Sequence, residues 1–171
     1  MAAGAVQPLN PVRWLAAPAL ACMGGSLLFA APLEVLGLRL PEPIFALAPA
    51  FAWAIIRPSI LAPFALLVLG LFQDLLWGNP LGLWPLALLA AYGVTTVARP
   101  ALSGQSFWTL WAWYLATITA GFALAFALTW VMATEAPDLL GLGLQAAVTA
   151  LLFPLAWRLI DAFEDADIRF K

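Results

Sequence analysis

The chain contains no histidine, a single cysteine and little charge: seven Lys or Arg and nine Asp or Glu among 171 residues, for a net charge of −2. Without histidine, every imidazole-based catalytic or metal-binding scheme is excluded. Cys22 alone can form neither an internal disulfide nor a multi-cysteine metal cluster. The surplus of acid over base removes nucleic acid as a partner. The scarcity of charge goes further. Soluble domains carry about 25% charged residues, whereas this chain has 9% charged and 65% hydrophobic residues. That is too little polar surface to cover a globule in water. A lipid bilayer is the expected surroundings, and the length suits one helical bundle without a second domain.

A span needs roughly 20 apolar residues to cross about 30 Å of hydrocarbon. Six stretches qualify or nearly qualify: 14–33, 44–56, 59–76, 81–98, 106–132 and 139–160. Only two of the chain's charges, Asp74 and Arg158, fall inside them. The expected fold class is therefore all-α, a polytopic bundle of six transmembrane helices within a single domain, followed by a short acidic tail over 161–171. The second span is short and carries Pro49. Fusing it to the third would make a helix about 50 Å long with Arg57-Pro58 near its middle. Proline disfavours helix in the residue before it, and an arginine at mid-membrane costs at least about 2.5 kcal/mol. Two helices joined by a tight turn are expected instead, with Arg57 reaching the interface.

Lysine and arginine accumulate in cytoplasmic loops. With both termini inside, Arg13, Arg57, Arg99, Arg158, Arg169 and Lys171 lie in the cytoplasm and only Arg39 lies outside. The Arg57-Pro58 and Arg99-Pro100 pairs both read as cytoplasmic turns. The first span is longer than the 7 to 15 residues of a signal-peptide core and is expected to be retained.

The most informative stretch is GLFQDLLWGNPLGLW, residues 70–84. Gly70, Asp74 and Gly78 recur every four residues and share one helical face. Glycines flanking a carboxylate mark a close approach of another helix. Asn79 and Pro80 read as the N-cap and first residue of the fourth span, which brings Asp74 near that helix's positive end. Three roles for Asp74 stay open: pinning the turn through backbone hydrogen bonds, facing a partner protein, or marking a proton or substrate path.

This stretch resembles the signature of the rod-shape-determining membrane protein family MreD. There a Gly-x-x-x-Asp closing one helix leads through a glycine turn into Leu-Gly and an Ala/Leu-rich helix. The matching positions are Gly70, Asp74, Gly78, Leu81 and Gly82, followed by PLALLAAYG with Tyr92. A proline-initiated second helix running from Pro41 to Trp53 and a last helix with Pro154 and Trp157 are also similar. Pro80, the Trp84-Pro85 pair and the acidic tail depart from the pattern. The resemblance implies a non-enzymatic inner-membrane component of the cell-elongation machinery. Its implied partners are a membrane-anchored MreC-type protein, a peptidoglycan polymerase and transpeptidase pair, and, indirectly, the actin-like MreB filament.

Other patterns bear on surfaces. Phe107, Trp108, Trp111, Trp113 and Tyr114 crowd one end of the fifth span as an aromatic belt would. Ala112, Ala116 and Ala120, with Gly121 and Ala125 beside them, form a small-residue strip suited to close helix packing. Gly141, Gln145 and Thr149 make a polar strip on the sixth span. With Gln73, Gln145 and Thr149 could line a cavity. Beyond Arg158, Leu159, Ile160, Phe163 and Phe170 oppose Asp161, Glu164, Asp165 and Asp167, an amphipathic tail whose Phe163 and Phe170 are candidate docking residues. Anionic lipid would repel its acidic face. The outer loops carry only Glu34, Arg39, Glu42, Glu135 and Asp138 as charges.

Catalysis is not expected. An intramembrane hydrolase or transferase needs an activated nucleophile with an acid-base partner, and the spans hold no His, no Lys and one carboxylate. No cofactor is implied. The alternative to the scaffold reading is a small-molecule-binding subunit of a transporter, similar in architecture to vitamin-capturing S-components, with Gln73, Asp74, Asn79, Gln145 and Thr149 as its polar contacts.

Overall fold

The computed structural model describes residues 12–30, 34–35, 38–39, 41–102, 104–132 and 138–168, with side chains over 14–30, 41–102, 104–132 and 138–162. After a π-helical turn at Val12–Ala16 come α1 (Ala17–Ala30), a two-residue antiparallel pair β1 (Glu34–Val35) and β2 (Leu38–Arg39), and then α2 (Leu47–Ile56). The remainder is helical: α3 (Leu61–Trp77), α4 (Leu83–Leu102), α5 (Phe107–Met132), α6 (Leu139–Ala150) and α7 (Phe153–Ile168).

The bundle is built around its shortest long-range element. All ten residues of α2 are buried, as expected for a helix that is apolar on every side. It packs on α4 and α7, while α4 also packs on α3 and α5. At about 1.5 Å per residue α2 is only some 15 Å long; its first and last residues are buried, and their backbone groups need partners. At its C-terminal end Arg99 of α4 donates from Nε to the Ile55 carbonyl (2.7 Å) and from a terminal nitrogen to the Ile56 carbonyl (3.2 Å). In the turn that leads into α2, the buried Ile44 N–H donates to Thr149 Oγ1 of α6 at 3.0 Å. Trp53 Nε1 donates to the Trp14 carbonyl at 2.8 Å and fastens the π-helical turn to the core.

Three expectations about boundaries need correction. The Arg99-Pro100 pair is not a turn, because α4 runs through it to Leu102. Proline in a last turn forfeits one backbone bond, and Arg99 is held by α2 rather than released to an interface; the chain reverses beyond it, at Gly104 with φ 74°. Asn79 and Pro80 do not begin the fourth helix, which starts at Leu83. The sixth span stands as one stretch, Leu139–Ala162, but its helix is interrupted at 151–152, between α6 and α7. Pro154 has no N–H and its ring crowds the carbonyl four residues back, so Leu151 and Leu152 close tighter turns onto Val148 and Thr149. The Thr149 carbonyl, besides the Leu152 N–H, accepts the Tyr114 hydroxyl at 3.2 Å. The acidic tail continues helically to Ile168.

Three stretches, Leu83–Leu102, Phe107–Met132 and Leu139–Ala162, are long and apolar enough to cross a membrane, and Trp14–Ala30, Leu47–Ile56 and Leu61–Trp77 are shorter apolar helices. The exterior matches this. Ile60, Val97, Val131 and Leu151 are each more than 75% exposed, with many other large apolar side chains around them. Soluble monomers rarely expose such continuous apolar surface, and a bilayer accepts it.

The Thr149 bond gives a test of the fold. Thr149→Val strands the buried Ile44 N–H, at a cost of about 1–3 kcal/mol. Thermal melts of the detergent-solubilised protein should show a clear drop for Thr149→Val and a smaller one for Thr149→Ser, which keeps the acceptor.

Candidate functional site

The stretch singled out in the sequence folds as one unit in which Asp74 is the knot. α3 ends at Gly78, whose left-handed backbone (φ 65°) suits glycine. The Asp74 carbonyl accepts the N–H of Gly78 and, at 2.9 Å, that of Asn79. Its carboxylate reaches across the turn: Oδ2 accepts the Gly82 N–H at 2.7 Å and Oδ1 the Trp84 N–H at 3.1 Å. Asp74 itself is 1% exposed.

These bonds account for every free donor at the start of α4. An α-helix leaves its first four N–H groups without intrahelical partners. Here Gly82 and Trp84 donate to Asp74, Leu83 donates to the Pro80 carbonyl at 3.2 Å, and Pro85 has no N–H to satisfy. The next donor, Leu86, bonds the Gly82 carbonyl in the ordinary helical pattern. Asp74 thus caps a helix to which it does not belong, with its charge at the positive end of the dipole. The Trp84-Pro85 pair, a departure from the MreD-like pattern, fits this geometry because proline is tolerated in a first helical turn.

Gly70 completes the unit one helical turn before Asp74. A Cβ there would lie 2.6 Å from Pro85 Cα and closer still to Pro85 N, so α3 and α4 touch backbone to backbone at this point. Gly82 adopts φ 99°, a conformation open to glycine. Leu81 is exposed, and Asn79 and Pro80 lie half-buried in the connecting turn.

The remaining candidate residues separate. Gln145 lines a polar cavity of about 460 Å³ together with Glu42, Trp77, Asn79, Trp84 and Thr129. Thr149 does not line it: its hydroxyl lies between the Gln145 carbonyl (2.7 Å) and the Ile44 N–H. Gln73 is buried and also outside the cavity wall, and among the described residues its Oε1 is the one buried side-chain oxygen without a hydrogen-bond partner. Tyr114 leaves the expected aromatic belt and enters the core, edge-on to Phe51 at 5.3 Å, while Trp108, Trp111 and Trp113 stay exposed. Ala112, Ala116 and Ala120 face outward, and Gly121 and Ala125 supply the inward packing surface of α5. Phe170 and the side chain of Phe163 lie outside the described residues, as does Glu135.

Arg99, Glu42, Trp77 and Thr129 were not legible as site residues. Arg99 was hidden by the proline after it, although a second helix too short for a full span was a signal that its ends need internal caps.

Two substitutions test the turn. Gly70→Ala should lower the melting temperature sharply, because the obstructing atoms are backbone and cannot swing away. Asp74→Asn keeps one acceptor and turns an amide toward the other donor, a loss of about 1.5–3 kcal/mol readable in the same melts. No protein-family model, curated protein or solved structure matches the chain.

Proposed function

We propose that this chain is a six-span, non-enzymatic protein of the bacterial inner membrane, similar to MreD proteins, that scaffolds the cell-elongation machinery. The observation that carries the reading is the unity of the motif. Gly70, Asp74, Gly78 and Gly82, which carry the resemblance, each have a physical task in a single turn. Such a unit sets the relative position of two helices and so the shape offered to a partner.

The scaffold works through its surface. The outward strip of Ala112, Ala116 and Ala120 lets another helix approach closely, and van der Waals packing of small residues is the main attraction between helices in lipid. A single transmembrane helix of an MreC-type protein fits this strip, and through it the bundle associates with the peptidoglycan polymerase and transpeptidase pair and indirectly with MreB-type filaments. Arg57, Arg99 and Arg158 gather at one end of the bundle, while Glu42, Asp74 and Asp138 lie toward the other. That segregation supports an orientation with both termini cytoplasmic.

Clean depletion in a rod-shaped host should round the cells and release the MreC-type protein from its normal positions. Persistent rods would overturn the reading. Ala116→Leu should reduce recovery of the MreC-type protein without lowering the melting temperature. A second reading, a substrate-binding subunit resembling transporter S-components, is supported by the polar cavity beside Gln145. Rods that persist on depletion while uptake of one solute is lost would favour it.

A further inference from the structure

The polar cavity lies beside the Asp74 turn, and its walls come from four helices and the segment before α2. Among the described residues that line it, Glu42 is the single ionisable group. Thr129 spends its hydroxyl hydrogen on the Ala125 carbonyl at 2.8 Å, which leaves its lone pairs to accept. Asn79 and Gln145 each bring an amide oxygen. Trp77 and Trp84 complete the wall with indole rings, whose faces attract cations. Trp84 is held in place on two sides: its N–H is bonded to Asp74 and its ring meets Phe122 edge-on at 5.4 Å.

An anion would meet the Glu42 carboxylate here and find no helix N-terminus free to hold it. Helix N-termini ordinarily supply an anion site, but those of α4 and α6 are filled by the protein's own carboxylates, and before α2 the Ile44 N–H is bonded to Thr149 Oγ1. Asp74 takes the donors of α4, and Asp138 takes the N–H groups of Leu140 and Gly141 at the start of α6. The C-terminal end of α3 adds partial negative charge from its carbonyls.

We propose that this cavity binds a small organic ammonium compound, with the Glu42 carboxylate as its counter-charge and Trp77 and Trp84 as its aromatic walls. Partial burial pushes the Glu42 carboxyl above its usual range, and a bound ammonium offsets that cost. The acceptors Asn79, Gln145 and Thr129 suit N–H or O–H groups carried by the same molecule. The site is independent of the scaffold role, because a helix-docking surface on α5 needs no ligand at this end.

Calorimetric titration of the full chain in phosphatidylglycerol nanodiscs tests the proposal, with choline as the probe and its neutral isostere 3,3-dimethyl-1-butanol as the control. Choline should bind at least about tenfold more tightly than the isostere, the order expected of a cation set against a carboxylate and indole rings. Glu42→Gln and Trp77→Leu should each weaken choline by a similar factor with the melting temperature unchanged. Equal affinity for the two probes, no heat with choline at millimolar concentration, or choline binding indifferent to Glu42→Gln would overturn the proposal. Repeating the titration with phosphatidylethanolamine in the nanodisc separates the sources. Competition with choline assigns the site to a lipid headgroup, and undiminished choline binding assigns it to a free solute.

Discussion

A backbone amide or carbonyl that ends inside a protein in lipid has no water to turn to, and each one left unpaired costs several kcal/mol. This constraint bears unusually hard here, because α2 begins and ends on buried residues and α4 begins beside a buried carboxylate. The answer in each case is a side chain from another element. Asp74 of α3 receives the first donors of α4, Arg99 of α4 supplies donors to the last carbonyls of α2, and Thr149 of α6 receives the Ile44 N–H before α2. The helices are locked to one another by the groups that a helix cannot satisfy for itself.

Packing follows from these locks. With its start fixed by Asp74, α4 can lie against α3 so closely that Gly70 has no room for a methyl group beside Pro85. With its end tied through Arg99 to α2, the same helix holds the buried centre of the bundle and still packs on α5. The break at 151–152 serves the same economy. Pro154 lies just past the interruption, and the Thr149 carbonyl near the end of α6 accepts both the Leu152 N–H and the Tyr114 hydroxyl, tying α5 to α6.

The functional features rest on this frame. The outward alanines of α5 are available to another helix because inward packing is done by Gly121 and Ala125. Trp84, in the wall of the polar cavity, is fixed by the Asp74 carboxylate, and the helix N-termini nearby that would welcome an anion are already filled. One turn therefore fixes the positions of α3 and α4 and one wall of the cavity together.

The sequence by itself determined the solvent and the punctuation. Its low charge, the confinement of all but two charges to the segments between apolar runs, and the spacing of Gly70, Asp74 and Gly78 are local properties, and they led to helices near their observed positions and to the importance of the turn. Tertiary structure decided the pairings. That Asp74 caps α4 from across a turn, that Arg99 reaches a helix more than forty residues earlier, that Ala116 faces outward while Tyr114 faces inward, and that Gln145 joins Glu42 rather than Gln73 around a cavity all depend on which helix lies beside which. A run of apolar residues looks the same from every neighbour, so periodicity cannot choose among them. The choice is made by the few polar groups that must find a partner once the whole bundle has closed.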